Sequence, residues 1–293
     1  MKSTNISFGQ GCEIDCIYCK RNYYHKMGHG SRNYEEIIAE INKKARENKE
    51  DIMFLFTGVG EPLMLPNFLE VCKRVNNMKI PFNIESNGIK LSNFEFCQKL
   101  KRLGLRNVSL TFCSHIPSVY NKIIGGYNYY NQILKALENM EKLKINISLQ
   151  IVILKHNLDH FHMIPMFIKK NFPEIKMTSV ILHLVRINEP IEMFKQVGFP
   201  LSENAKKIEN SVLHLRDEGF IIDLSTSAGT FPFCFFPSFI KEFEYDKKTI
   251  TKDAMHVKTK YCEGCKYYEQ CHGIPYTYLK VYGEEEFRGM KFT

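Results

Sequence analysis

Residues 11–20 read GCEIDCIYCK and directly follow the first strand-like run of the chain. They place Cys12, Cys16 and Cys19 at the spacing C-x3-C-x2-C, with Tyr18 immediately before the last cysteine. Three thiolates on one tight loop can bind three corners of a cubane iron–sulfur cluster and leave the fourth iron open to an exogenous ligand. The segment therefore predicts a 4Fe-4S site at the end of the first strand.

Strand-like and helix-like patterns alternate on both sides of this segment. The strand-like runs are Asn5–Phe8, Ile52–Thr57, Phe82–Ser86, Asn107–Phe112, Asn146–Val152 and Thr178–Leu184. The helical patterns are Glu35–Asn48, Asn67–Val75, Phe94–Leu103, Asn131–Leu143 and Leu158–Lys170, followed by a helix Glu203–Asp217 and a strand-like Phe220–Ser225. Strands joined by helices pair in parallel, and right-handed crossovers roll them into a barrel whose working face lies at the strand carboxyl ends.

We therefore expect an α/β chain with two domains. Residues 1–224 are predicted to form a partial (β/α)6 TIM-like barrel. From residue 226 the alternation gives way to aromatics, turns and four cysteines, so residues 225–293 are predicted to form a small second domain.

Composition excludes several classes of protein. The 293 residues are 44% apolar, 13% aromatic and 25% charged, as in ordinary globular proteins, which argues against disordered and collagen-like chains. The longest apolar runs are far shorter than the ~20 residues of a membrane helix, and residues 1–10 lack a signal-peptide core. We expect a soluble cytoplasmic protein with no membrane partner.

The net charge bears on possible partners, and the cysteine content bears on metal binding. The net charge of +8 is dispersed along helices that also carry Glu, which is typical of a solvated basic surface and leaves open an acidic partner or nucleic acid. Seven of the ten cysteines are clustered, and in an intracellular chain clustered cysteines point to metal binding or catalysis rather than disulfides. Cys72, Cys97 and Cys113 lie within helix or strand patterns and are expected to be buried small hydrophobic residues.

A zinc site is the alternative for the first cysteine group. His25 and His29 follow Cys16 and Cys19 in the order C-x2-C-x5-H-x3-H, but the intervening span is well short of the usual finger spacing. We expect these two histidines in a solvated or substrate-side loop.

The cysteine segment resembles the signature of the radical S-adenosylmethionine (SAM) superfamily, and two further segments support the resemblance. Residues 57–62, TGVGEP, resemble its GGEP-type motif, with Val59 replacing a glycine, and residues 86–88, SNG, resemble its Thr-Asn-Gly turn. Either segment alone could be only a turn. The resemblance implies SAM-binding roles for Tyr18, near the adenine, and for Gly58, Gly60, Glu61, Pro62, Ser86 and Asn87. Ser109, Gln150 and Arg186 at later strand ends are weaker candidates for the ribose, carboxylate or substrate.

The resemblance also implies a reaction. SAM would chelate the open iron, the reduced cluster would donate an electron to the sulfonium, and a 5′-deoxyadenosyl radical would abstract a hydrogen atom from the substrate. A flavodoxin or ferredoxin is the implied electron donor, and the basic surface would suit it.

The tail carries a second cysteine group, with Gly229-x4-Cys234 followed by Cys262-x2-Cys265-x5-Cys271. Four thiolates can saturate a cubane cluster or a tetrahedral zinc ion. The arrangement resembles the SPASM and shorter twitch extensions of radical SAM enzymes, and four cysteines fit one auxiliary 4Fe-4S cluster. Alternatively, Cys234 remains free as a catalytic hydrogen-atom donor.

The resemblance favours a radical SAM enzyme of oxidoreductase type that modifies a peptide or protein side chain by oxidation, crosslinking or epimerisation. Only eleven residues precede Cys12, too few for an N-terminal peptide-recognition domain, so this interpretation needs recognition by a separate protein. The runner-up is a radical SAM dehydrogenase or oxidase of a small molecule. From another class, a zinc-stabilised nucleic-acid-binding protein is the competing hypothesis, although no continuous basic stripe or binding motif supports it.

Overall fold

The coordinates are a computed structural model that describes residues 2–9, 11–19, 32–47, 52–185, 190–224, 231–239, 256–290 and 292. Its main sheet has seven strands in sequential order, β1 to β7. These are β1 (Lys2–Ser7), β2 (Ile52–Thr57), β3 (Phe82–Ser86), β4 (Leu105–Thr111), β5 (Asn146–Ile153), β6 (Met177–Leu184) and β7 (Ile222–Asp223). Successive strands pair in parallel, as crossovers through helices require. The predicted α/β fold class is confirmed, with one short strand beyond the six of the predicted partial barrel.

Helices connect most of these strands. They are α1 (Tyr34–Glu47), α2 (Phe68–Asn77), α3 (Phe94–Arg102), α4 (Pro117–Ile123), α5 (Tyr130–Lys142), α6 (Met163–Asn171), α7 (Ile191–Val197), α8 (Leu201–Asp217) and α9 (Tyr276–Tyr282). An antiparallel pair, β8 (His256–Val257) and β9 (Ile274–Pro275), lies in the tail. Across the described ranges, none of the helices has both the length and the apolar character that a bilayer crossing requires.

Strand β5 buries one apolar face and carries polar groups on the other. On β5 the residues Ile147, Leu149 and Ile151 are fully buried, whereas the alternate positions Ser148 and Gln150 are only half-buried. Because strand side chains alternate between faces, a strand of this kind packs one face on helices and turns polar groups to the other. This polar face supplies much of the candidate site.

Aromatic packing fixes the apolar face near the start of the sheet. The rings of Phe8 and Phe56 lie 5.0 Å apart, and both contact Phe68 of α2, at 5.5 and 5.9 Å. All three are essentially inaccessible to solvent, and burying each contributes roughly 1.5–3 kcal/mol. The ends of β1 and β2 are therefore held firmly beneath the loops that follow them.

The chain divides into two compact units. One comprises residues 1–150 and 164–178, and the other comprises residues 151–163 and 179–293. The first unit contains β1 to β4 with helices α1 to α6, and the second contains α7 to α9 with the strands of the tail. The predicted division at residue 224 stays a prediction.

The prediction of a helix over Leu158–Lys170 is wrong in its first part. Residues 155–162 are turns, and the helix begins at Met163. Asn157 causes the difference, because its fully buried side chain accepts a hydrogen bond from the Leu154 amide at 2.8 Å and donates one to the Val152 carbonyl at 2.9 Å. The later start also places Pro165 in the first helical turn, where its missing N–H costs nothing.

Three short helices, α4, α7 and α9, were not predicted. Each has seven residues, too few to show a helical period in the sequence. Their signals are the prolines at their starts, because Pro117 opens α4, Pro190 directly precedes α7 and Pro275 directly precedes α9.

We expect Asn157→Ala to lower the free energy of unfolding by about 2–4 kcal/mol, because it leaves one buried amide and one carbonyl without their partner. Asn171→Ala is the control, since that exposed side chain makes a single hydrogen bond to the Phe167 carbonyl within α6. Chemical denaturation of both variants measures the difference. Equal losses would contradict a structural role for the Asn157 turn.

Candidate active site

The cysteine loop, residues 11–19, leaves the end of β1 and is anchored by backbone bonds. The amides of Asp15 and Ile17 donate to the carbonyls of Ile124 and Ile123, at 3.2 and 2.9 Å. These carbonyls belong to the carboxyl end of α4, so that short helix forms the platform on which the loop lies.

Glycine is required where the loop meets this platform. Gly125 has a φ of +94°, and a Cβ there would lie 2.4 Å from the Asp15 carbonyl oxygen. Its neighbour Gly126 has a similar φ of +87°, but a Cβ there would meet nothing within 4 Å. The two adjacent glycines therefore share a backbone conformation and differ in whether the cysteine loop leaves room for a side chain.

The Gly-rich loop after β2 packs just as closely on the end of β1. Gly58 has a φ of +140°, and a Cβ there would lie 2.7 Å from the Phe8 amide nitrogen. Further along this loop, the Glu61 amide donates to the Gly11 carbonyl at 3.0 Å. The Gly-rich loop and the cysteine loop are thus joined by a direct backbone bond.

The carboxylate of Glu61 joins a third loop to these two. It accepts hydrogen bonds from the Leu63 amide (3.2 Å), the Ser86 hydroxyl (2.9 Å) and the Asn87 amide (2.8 Å). Glu61 is only 2% exposed, and burial raises its pKa to about 7. Its side chain therefore clamps the turn after β3 and does not project freely towards a ligand.

The Asn87 side chain links this third loop to the cysteine loop. Its side-chain amide nitrogen lies 3.5 Å from the Cys12 sulfur and 3.2 Å from a carboxylate oxygen of Glu13. Its side-chain oxygen accepts from the Ile89 amide at 3.0 Å, which fixes the orientation of the amide. The predicted Ser-Asn-Gly turn thus contacts the first cysteine directly.

These loops enclose a cavity of about 210 Å³ within the first unit. The predicted site residues that line it are Cys12, Cys16, Tyr18, Cys19, Gly58, Gly60, Glu61, Ser86, Asn87 and Gln150. Pro62 and Ser109 are buried but do not line it. Arg186, His25, His29 and Gly229 lie outside the described residues.

Several lining residues were not predicted. They are Ile14, Glu85, Thr111, Cys113, Tyr120 and Ile124. Glu85 accepts hydrogen bonds from the Thr57 hydroxyl and, at 3.3 Å, from the Gln150 side-chain amide, whose oxygen faces the Thr111 hydroxyl at 3.4 Å. Strand alternation could have indicated Glu85, because it lies on the same face of β3 as the polar Asn83.

Two thiols of this cavity, those of Cys12 and Cys16, are buried deeply enough to stay protonated when no metal is bound. Burial raises the pKa of Cys12 to about 11 and that of Cys16 well above its ordinary value, while the Tyr18 hydroxyl hydrogen-bonds Cys16. Thiols in such surroundings ionise when a metal takes the sulfur. One carboxylate oxygen of Glu13 is buried and meets no donor in the described part of the chain. The residues fit an iron–sulfur cluster with an open iron and a polar ligand beside it.

The four tail cysteines line a second, smaller cavity of about 40 Å³, within the second unit. They are Cys234, Cys262, Cys265 and Cys271, and the aromatic residues around them include Phe233, Tyr261, Tyr267 and Tyr268. Among the residues that the structure describes, no three Cys, His, Asp or Glu side chains are arranged around a single metal ion.

Comparison with known proteins decides the family. Residues 6–168, more than half of the chain, match the radical SAM superfamily. The chain belongs to this superfamily. Membership confirms the resemblance drawn from the cysteine, Gly-rich and Asn-Gly segments, and with it SAM and a 4Fe-4S cluster as the cofactors of this radical SAM enzyme.

The curated relatives are enzymes of small-molecule metabolism by name. A probable GTP 3′,8-cyclase of Pyrococcus abyssi is 25% identical over 218 residues, which are 72% of this chain and 67% of the relative. The protein of the same name from Methanococcus aeolicus is 31% identical over 155 residues, half of each chain. The chain thus aligns with between half and two thirds of these relatives' length.

Solved structures show the same fold along the whole chain. Native anSMEcpe with bound AdoMet and the Cp18Cys peptide superposes with a TM-score of 0.59 at 16% identity, covering 97% of this chain and 95% of the other. Streptococcus suis SuiB bound to precursor peptide SuiA gives a TM-score of 0.56 at 15% identity, covering 80% and 51%. The likeness extends through the cysteine-rich tail.

We expect Gly125→Ala to lose most of the iron bound by the first cysteine group, because the added methyl group displaces the backbone at Asp15. Gly126→Ala should keep that iron, although both substitutions carry the same ~1–2 kcal/mol backbone strain. Iron analysis and SAM cleavage in anaerobically reconstituted protein measure the effect. Equal iron contents would show that α4 does not position the cysteine loop.

Proposed function

We propose that this enzyme cleaves SAM at a cluster held by Cys12, Cys16 and Cys19, carries a second cluster in its tail and modifies a peptide or protein side chain. The convergence of three separate loops on one cavity is the observation that carries the proposal. Each loop follows a different strand, and each contributes a different kind of group, namely thiols, glycines and an amide.

The proposed roles are those that the resemblance implies. Gly58 and Gly60 would bring backbone carbonyls close to the amino group of SAM, with Pro62 at the end of that loop. Asn87 donates to the Cys12 sulfur, and Tyr18 would lie near the adenine. When bound, the cluster and SAM supply a radical able to remove a hydrogen atom from an unactivated carbon.

One wall of the cavity, formed by Glu85, Thr111 and Gln150, is polar. Hydrogen bonds among these side chains hold them in place. Glu85 accepts from Thr57 and Gln150, so the Gln150 oxygen is turned towards the Thr111 hydroxyl. We propose that this wall orients the ribose of SAM or the substrate. Ser109 and Arg186 keep their predicted roles only as proposals, since the first lies away from the cavity and the second is outside the described ranges.

The charge of the cavity bears on the cofactor. Its described lining contains two carboxylates, Glu61 and Glu85, and no Lys, Arg or His. This lining suits the cationic sulfonium of SAM.

Two comparisons with known proteins favour two different substrate classes. The fold neighbours anSMEcpe and SuiB hold peptides, which favours a peptide or protein substrate. The relatives named GTP 3′,8-cyclase favour the second candidate, oxidation of a small molecule. Incubation with GTP and with candidate peptides, followed by mass spectrometry, separates them, because cyclised GTP would overturn the first candidate.

Cys234 is proposed as the fourth ligand of the second cluster. It faces the same cavity as the other three tail thiols, and burial together with Cys271 and Cys262 raises its pKa to about 12. A flavodoxin or ferredoxin is proposed to reduce the first cluster, with the basic surface favouring an acidic partner.

We expect protein purified without oxygen to hold about eight irons and eight sulfides per chain. Replacing Cys12, Cys16 and Cys19 together by alanine should remove about half of the iron and abolish deoxyadenosine formation. Iron, sulfide and zinc analysis with a chromatographic assay for deoxyadenosine provides the test. Continued SAM cleavage in this variant would defeat the mechanism, and about four irons with one zinc would make the tail a structural zinc site.

Cys234→Ala should lower the iron content of the tail site and leave SAM cleavage at the first site intact, because the two cysteine groups line separate cavities. Cys97→Ala, which removes a buried thiol of α3 that lines neither cavity, is the control. If the tail iron stays complete in Cys234→Ala while product formation stops, Cys234 is a hydrogen-atom donor and the ligand assignment is wrong.

A further inference from the structure

Lys258 is the one positively charged side chain in the described lining of the tail cavity. It follows β8, and its ammonium group donates to the carbonyl oxygen of Cys271 and, at 2.7 Å, to that of Tyr268. The ammonium also lies 5.0 Å from the centre of the Tyr268 ring. Two carbonyls and one aromatic face thus hold this charge beside the four thiols.

The approach of Lys258 to Cys271 depends on Gly273. This glycine has a φ of +97°, and a Cβ there would lie 2.6 Å from the Val257 carbonyl oxygen and 3.5 Å from Cδ of Lys258. The Gly273 amide lies 3.4 Å from the Cys271 sulfur and donates to it. Cys271 therefore receives an N–H group at its sulfur and an ammonium group at its carbonyl.

Within the described ranges, no carboxylate forms an ion pair with Lys258. The neighbouring Lys260 differs, because its ammonium lies 2.9 Å from Glu284 and its charge is compensated. Lys258 is half-buried, whereas Lys260 is exposed, so solvent and salt screen the Lys258 charge less. Lys258 therefore places a positive charge beside the thiol cavity.

The position of Lys258 affects how readily a cluster held by the tail cysteines is reduced. A cubane cluster with four thiolate ligands is negatively charged, and reduction adds one more negative charge. A nearby cation stabilises the reduced form more than the oxidised form, and amide N–H groups at sulfur act in the same direction. The Lys258 ammonium and the Gly273 amide both form hydrogen bonds to Cys271.

We infer that Lys258 is a positioning residue that raises the reduction potential of the tail cluster. This inference rests on the proposed second cluster, whose ligands are Cys234, Cys262, Cys265 and Cys271. Lys258 acts through its charge and through the backbone of Cys271, not as a ligand.

The test is an EPR-monitored redox titration of the anaerobically prepared holoprotein. Lys258→Gln keeps a hydrogen-bond donor and removes the charge, and Lys258→Arg keeps the charge. Lys266→Gln is the matched control, because Lys266 is exposed and lies over the ring of Tyr267, another lining residue, at 5.2 Å. The triple alanine variant of Cys12, Cys16 and Cys19 assigns the tail signal.

We expect a lower midpoint potential for the tail cluster in Lys258→Gln, with full iron content, and values close to wild type in Lys258→Arg and Lys266→Gln. Loss of the tail iron in Lys258→Gln would overturn the inference, because Lys258 would then be needed to hold the cluster and not to set its potential. An unchanged potential in Lys258→Gln, or loss of iron in Lys258→Arg as well, would overturn it. Wild-type protein with no tail cluster would instead overturn the proposed second cluster itself.

Discussion

The buried carboxylate of Glu61 is the constraint on which the first site depends. Parallel strands bring the cysteine loop, the Gly-rich loop and the Asn-Gly turn to one edge of the sheet, but they do not fix the loops against one another. Glu61 does so, through its carboxylate to Leu63, Ser86 and Asn87 and through its amide to Gly11. A buried carboxylate is costly unless donors surround it, and three donors meet it here. Glu61, a residue of the Gly-rich loop, thereby holds both the cysteine loop and the Asn-Gly turn in place.

Much of this arrangement could be predicted from the sequence, because its signals are local. The strand patterns gave β2 and β3 with their observed bounds, and the cysteine spacing and Asn-Gly turn marked the loops that follow strands. The resemblance assigned Glu61 to SAM, whereas its side chain is occupied within the protein. A motif indicates that a residue is needed at a position, and only the folded geometry tells whether it contacts a ligand or holds the loop that does.

Two of the unpredicted features arise between distant parts of the chain. Glu85 is held in the cavity by hydrogen bonds from Thr57 and Gln150, which lie on other strands. Gly125 is needed because of the Asp15 carbonyl. The third feature is local, since Asn157 overrides a helical pattern through bonds to the end of its own strand. Each depends on a contact between particular groups, which periodicity and composition do not encode.

The two cavities differ in charge in a way that matches what each is proposed to hold. The described lining of the first contains Glu61 and Glu85 without a cationic residue, and SAM is a sulfonium cation, so the cavity and the cofactor attract each other. The described lining of the second contains four thiols and Lys258 without a carboxylate, and a cluster with four thiolates is an anion. Complementary charge therefore argues that the cysteine groups are not interchangeable, with the first suited to a cationic ligand on an open iron and the second to a closed, negatively charged cluster.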